Sequence, residues 1–176
     1  EVLPEDVLIV VPASARDAQA LTTDPRIGKV MFTGSTEVGR QIARDAADSV
    51  ARLTLELGGN DAGIVLPDAD PKAIAEDLFW GAFINTGQTC AALKRLYVHD
   101  SIYDELVEAL AEVARNVPMG VGLDEQNVLG PLQNRGQYEV VDRLVEAARD
   151  GGARIVLGGD PDHEAPGNFY PTTLVA

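Results

Sequence analysis

Three short apolar runs, each separated from the next by room for one helix, constrain this chain more than any other feature. Residues 7–11 (Val-Leu-Ile-Val-Val), 29–33 and 52–57 all have strand length and composition. The first lies between Pro4 and Pro12 and is apolar without alternation, which predicts a strand buried on both faces. Between the first two runs, Ser14 predicts the N-cap of a helix over about 15–22, ended by Asp24 and Pro25. Between the second and third, Val38, Ile42 and Ala46 recur on one helical face. Strand, helix, strand, helix, strand with short links is the pattern of right-handed parallel crossovers. Residues 1–60 therefore read as part of a doubly wound, Rossmann-like α/β sheet.

From Gly63 the pattern restarts, so residues 61–176 read as part of a second α/β region. Ile64, Val65 and Leu66 predict a strand, and Asp70 before Pro71 predicts the cap and first position of a helix reaching about Ala82. Residues 85–89 are loop, and Leu96, Tyr97 and Val98 end another strand. Ser101 with Asp104 resembles a capping box one carbon short, ahead of a stripe of Ile102, Leu106, Leu110 and Val113. After a glycine-rich loop at 120–131, a last helix carries Tyr138, Val141, Leu144, Val145 and Ala148, and Gly151 and Gly152 stop it. Residues 154–157 are strand, and Trp80 and Phe83 are most simply core.

A net charge of −14 argues against nucleic acid, whose phosphates need a basic surface. No run approaches the roughly eighteen apolar residues of a membrane span, and no signal-peptide pattern opens the sequence. A single cysteine excludes an internal disulfide framework and fits a reducing cytoplasm. The sequence begins at Glu1 without methionine and ends in an apolar run at 172–176, as a chain cut at both ends would.

That lone cysteine, Cys90, sits in a short polar turn behind Gly87, Gln88 and Thr89, with Lys94 and Arg95 close after it. A free thiol of pKa near 8.5 is only about 3% thiolate at pH 7, and a helix-end dipole plus one cation can raise that fraction. Glu56 is the single carboxylate in an otherwise apolar strand, sharing a face with Thr54. At the carboxyl end of a parallel strand that face can open on a crevice, where partial burial would raise the pKa and make a usable base. Thiol nucleophile and carboxylate base are the two groups needed to make and then hydrolyse a thioester. Against this stand a small buried cysteine and a carboxylate paired to a basic residue at the sheet edge. A Cys–His pairing would need His99 or His163, both placed as solvated loop residues, and such scattered groups form no metal site.

Residues 34–39 (Gly-Ser-Thr-Glu-Val-Gly) fall where a strand's carboxyl end meets a helix's amino end. Free amides and the helix dipole meet there, so the turn either binds a phosphate or is a tight βα link capped by Ser35 or Thr36. Gly34 and Gly39 would let backbone approach a ligand or a neighbouring strand.

Together these stretches resemble the NAD(P)-dependent aldehyde dehydrogenase superfamily. The matching residues are Phe32 to Gly39, then Leu55, Glu56, Leu57, Gly58 and Gly59, then Asn85 to Cys90 with Ala92 and Arg95. Gly130, Pro131 and Leu132 with Gln137 form a fourth, weaker match. The resemblance implies that residues 1–60 are the end of a cofactor-binding domain and 61–176 the start of a catalytic thiol domain. It implies that Cys90 attacks an aldehyde, that the thiohemiacetal yields hydride to NAD or NADP, and that Glu56 activates the water that cleaves the thioester. It places Gly34, Ser35, Thr36, Val38, Gly39 and Leu57 against the cofactor, with Gln137 near a ribose, and gives the Cys90 amide half of an oxyanion hole. It implies a small-molecule aldehyde as substrate and a homo-oligomer, dimer or tetramer, at full length.

Members of that family are nearly three times this length, and other functional residues lie outside the stretch present. Losing one oxyanion donor alone costs roughly 10²–10³ in rate, so these 176 residues by themselves are expected to be inactive. Asn60, Asp61 and Ala62 also replace the commoner lysine-containing continuation. Two alternatives stay open: a CoA-acylating relative, which needs no water-activating Glu56, and a non-catalytic interaction or scaffold fragment.

Overall fold

The computed structural model describes residues 3–176, and the chain splits into two compact units, Glu1–Gly58 and Gly59–Ala176. The first contains α1 (Ala15–Thr23), β1 (Lys29–Gly34), α2 (Thr36–Asp45) and β2 (Arg52–Leu57). β1 and β2 run parallel in register from Lys29 beside Arg52 to Gly34 beside Leu57, with α2 as the crossover. Local chemistry fixes the ends as expected. The Ser14 hydroxyl accepts the Asp17 amide at 3.2 Å, and extended Asp24 stops α1 ahead of Pro25. Asp45 pins α1 to α2 by accepting from Gln19 and Thr22 at 3.2 Å and from Gln41 at 2.6 Å. Those bonds, Gln19's first, hold its carboxyl below the usual carboxylate range.

The run at 7–11 is not a strand. Its five residues are all exposed, Val10 to 82%, and Val7 donates to the Pro4 carbonyl in a turn instead. A strand exists only where a neighbour completes its ladder, and among the described residues β1 pairs with β2 alone. Val38 also departs from the predicted buried stripe. Ile42 and Ala46 are buried, but Val38 is 46% exposed and Gly39 takes the inward place. A Cβ on Gly39 would lie 2.6 Å from Leu57 Cδ2, so α2 rests directly on β2 there.

The second unit contains β3 (Asp61–Val65), α3 (Pro71–Phe83), β4 (Leu93–Val98), α4 (Tyr103–Arg115), α5 (Arg135–Asp150), β5 (Ile155–Leu157) and β6 (Leu174–Val175). β3 and β4 are parallel, whereas β5 and β6 pair antiparallel, so the 172–176 run supplies a strand that its sequence did not announce. α3 begins as predicted: Asp70 accepts the Lys72 amide at 3.0 Å and the Ala73 amide at 3.3 Å, with Pro71 at the first helical position.

The core of this unit is Val65, Ala75, Phe79, Leu106, Leu110, Ala114 and Leu129. Phe79 is its centre, fully buried, stacked on Phe83 at 4.8 Å and edge-on to Trp80 at 5.1 Å. A smaller cluster joins Leu132, Tyr138, Val145 and Tyr170. Burial pushes the Tyr170 hydroxyl up to about 12, with the neighbouring Asp142 carboxylate adding to the effect. Leu144, predicted on that helix stripe, is 61% exposed.

The capping box at Ser101 does not form. The His99 ring accepts the Ser101 amide at 3.2 Å and pairs with its hydroxyl at 2.9 Å, capping a short 3₁₀ turn (Asp100–Ile102) that leads into α4. With its hydroxyl engaged there, Ser101 does not cap α4, and Ile102 occupies the cap position without a side-chain bond.

Candidate active site

Within the first unit, register places two of the predicted features side by side. Gly34 lies opposite Leu57 and Thr33 opposite Glu56, so the glutamate stands on the strand next to the one that feeds the glycine turn. Ser35 caps α2, its hydroxyl accepting the Val38 amide at 3.3 Å, while its carbonyl takes the Gly39 amide at 3.0 Å. The capping role offered as the alternative for Ser35 is therefore real. It leaves the earlier first-turn amides of α2, which an α-helix cannot satisfy internally, at an exposed edge formed by Gly34, Ser35 and Thr36. Gly39 is tight against Leu57, so its role here is helix–strand packing.

Glu56 is exposed. Among the described residues β2 pairs with β1 alone. No lysine or arginine pairs with Glu56 among the described residues.

Within the second unit Cys90 is exposed, at the end of an unusual turn. A 3₁₀ segment (Ile84–Gly87) follows α3, and Asn85, Thr86 and Gly87 have φ of 52°, 57° and 74°. Left-handed backbone suits Gly and is tolerated by Asn, but for a β-branched residue it is an outlier costing on the order of 1–3 kcal/mol. The surroundings hold it. Thr86 Oγ1 accepts the Gly130 amide at 3.0 Å and donates to the Gly130 carbonyl at 3.2 Å. Gln88 donates to the Pro131 carbonyl at 3.2 Å and accepts the Gln133 amide at 2.8 Å. On the far side of the turn the Thr89 carbonyl accepts the Ala92 amide at 3.2 Å and the Lys94 ammonium at 2.8 Å, with Ala92 buried behind it.

Of the two cations predicted near the thiol, Lys94 is thus one residue from it, bound at Thr89. Arg95 is instead committed to the Asn60 carbonyl, through Nη2 at 2.8 Å and Nε at 3.1 Å. Gln137 lies in the first turn of α5, its amide donating to the Asn134 side chain at 2.9 Å, and its own side chain is exposed. His163 sits by the Tyr138 hydroxyl at 3.3 Å.

Gly59 presses on the same turn from beneath: a Cβ there would collide with the Cys90 carbonyl oxygen. The neighbour is backbone and cannot rotate away, so Gly59→Ala must displace the turn. The expected result is a loss of about 1–3 kcal/mol of stability in urea unfolding. Alongside it, the rate of Cys90 alkylation should change, and wild-type values of both would show that the glycine is replaceable.

Sequence reasoning missed Thr86 and Gln88 as holders of the turn. The available signal was Asn85 and Gly87, two residues suited to left-handed backbone flanking one that is not.

Comparison with known proteins agrees with this architecture. A model of the aldehyde dehydrogenase family matches residues 1–176. A probable aldehyde dehydrogenase of Pseudomonas sp is 42% identical over 180 residues, which cover 99% of this chain and 36% of that protein. The NADP(+) succinate-semialdehyde dehydrogenase of Escherichia coli (strain K12) is 41% identical over 175 residues, 98% of this chain and 36% of that protein. Among solved structures, a Mycobacterium tuberculosis aldehyde dehydrogenase complexed with NAD+ superposes with a TM-score of 0.92 at 36% identity, covering 99% of this chain and 36% of that one. The fold is a partial Rossmann-like α/β sheet followed by a second α/β region, and the chain belongs to the aldehyde dehydrogenase family. It spans just over a third of the length of these curated relatives.

Proposed function

We propose that the whole protein oxidises an aldehyde to a carboxylic acid with NAD+ or NADP+, through a thioester on Cys90. The observation that carries this reading is an exposed thiol at the end of a turn held by side-chain and backbone bonds on both sides, in a chain of this family. The Cys90 sulfur, as thiolate, adds to the aldehyde carbon and gives a tetrahedral thiohemiacetal. The Cys90 amide donates to the oxyanion as charge develops there. When bound, the nicotinamide dinucleotide supplies the hydride acceptor. Loss of hydride from the thiohemiacetal carbon leaves a thioester. Glu56 then takes a proton from water, the hydroxyl oxygen attacks the acyl carbon, the C–S bond breaks to release the acid and restore the thiolate, and the proton leaves Glu56 for solvent. Atoms balance as aldehyde, oxidised dinucleotide and water giving acid, reduced dinucleotide and a proton.

The residues present fit the phosphates of such a cofactor. Gly34, Ser35 and Thr36 form the exposed edge at the positive end of α2, where the first-turn amides of the helix have no intrahelical acceptor. Val38 and Leu57 flank that edge, and Gln137 is the proposed ribose contact. The relatives' names span succinate-semialdehyde and phenylacetaldehyde, so the proposed substrate is a small-molecule aldehyde of unspecified side chain. A homo-oligomer in the cytoplasm completes the proposal.

The test is chemical modification of the full-length protein. Iodoacetamide should alkylate Cys90 below about pH 8, and oxidised dinucleotide together with aldehyde should protect it. A Cys90 that stays inert under those conditions would support the scaffold reading instead.

A further inference from the structure

Three successive left-handed residues occur once among the described residues, at 85–87, ending three positions before the only thiol. Four hydrogen bonds tie the surrounding turn to a segment 43 to 45 positions later in the chain. All four use side-chain atoms of Thr86 or Gln88 and main-chain atoms of Gly130, Pro131 and Gln133. The information therefore sits at 86 and 88. The partner segment is itself anchored, with Leu129 and Leu132 buried in two different apolar clusters. A strained turn bonded to an anchored strut is rigid, and rigidity next to a nucleophile has chemical value: small misplacements from the attack geometry cost large factors in rate.

We propose that Thr86 and Gln88 are positioning residues for Cys90, strapping its turn to the segment 130–133 so that thiol and amide face the carbonyl together. This deepens the functional reading above and rests on Cys90 being the nucleophile. It also gives the fourth stretch of family resemblance, Gly130, Pro131 and Leu132, a physical task as the fixed end of the strap. Without the Thr86 hydroxyl, the Gly130 amide loses its acceptor and only the two Gln88 bonds remain to offset the cost of φ = 57° at a β-branched residue. The turn then relaxes and carries the adjoining Cys90 amide with it.

The experiment uses the full-length protein with Thr86→Val, which keeps the shape and removes both bonds, and Thr86→Ser, which keeps the hydroxyl. Two rates are read at about pH 7: alkylation of Cys90 by iodoacetamide, and kcat for aldehyde oxidation. Thr86→Val is expected to lower both by about tenfold or more while KM for the dinucleotide holds, because the glycine turn belongs to the other unit. Thr86→Ser is expected to return both to within about threefold of wild type, a rescue that loss of bulk stability would not produce.

Thr86→Val at wild-type rates overturns the proposal. If that variant does not fold, Gln88→Met, which removes the other pair of bonds, decides by the same two rates and the same thresholds. The two readings fail separately. A protein that oxidises aldehydes through Cys90 yet ignores both substitutions loses the strap and keeps its function. One whose alkylation falls in Thr86→Val, but which oxidises no aldehyde, keeps the strap and loses the function.

Discussion

Replacing Cys90 by alanine is expected to remove aldehyde oxidation almost completely, by roughly 10⁴–10⁶ in kcat, since deletion of a covalent nucleophile leaves only binding and electrostatic assistance. The same exchange should leave the fold alone. Cys90 is exposed and its thiol packs into neither apolar cluster, so the change in unfolding free energy should stay within about 0.5 kcal/mol. That separation makes the experiment decisive. Activity is followed by appearance of reduced dinucleotide, stability by urea unfolding, and dinucleotide affinity by calorimetry. Dinucleotide binding should persist, because the proposed phosphate contacts are main-chain groups at residues 34–36 in the other unit. A variant that keeps even a hundredth of wild-type kcat would take the thioester out of the reaction.

Most of the fold was legible because caps and periodicities are local. Ser14 and Asp70 each bind first-turn amides of the helices predicted for them, and Asp24 with Pro25 stops α1. The apolar run at 7–11 shows where local reading ends. Its composition says that it can be a strand, but a strand also needs a neighbour, and the described residues give it none. Val38 fails for a related reason. Periodicity assigns it to the inner face, whereas Gly39 takes that place against Leu57 and leaves Val38 exposed. Ser101 was outcompeted by His99, whose ring engages the same hydroxyl and amide.

The candidate site divides the same way. Residue types announced the chemistry: a thiol in a polar turn, a carboxylate on an apolar strand and a glycine-bounded βα link. The forces that hold the thiol were not readable. Nothing in a threonine's propensities suggests φ = 57°, and the bonds that permit it reach to residues more than forty positions away. The missing side chain of Gly59 is space occupied by the Cys90 carbonyl. Strand position alone leaves the burial of Glu56 open. The structure gives an exposed carboxylate on a strand that, among the described residues, is paired from one side.

That places the sharpest demand on Glu56→Gln. The amide is isosteric and the position exposed, so folding is expected to be unaffected while the amide can no longer take a proton from water. The two halves of the reaction should then come apart. Acylation uses Cys90 and the dinucleotide, so a first turnover should still release about one reduced dinucleotide per thiol. Deacylation should slow by about 10²–10⁴, the usual worth of a positioned general base, and the acyl group should accumulate on Cys90. Intact-mass measurement after mixing with aldehyde reads this directly as an adduct of the acyl mass, which Cys90→Ala should lack. Full steady-state turnover in Glu56→Gln would remove the glutamate from the mechanism. A product assay with and without CoA completes the argument, because a thiol acceptor needs no base to activate water. If CoA restores turnover in Glu56→Gln, and wild type forms acyl-CoA in preference to free acid, the thioester is handed to a thiol and Glu56 has another task. A trapped adduct in the variant with free acid from wild type assigns water as the acceptor and Glu56 as the group that activates it.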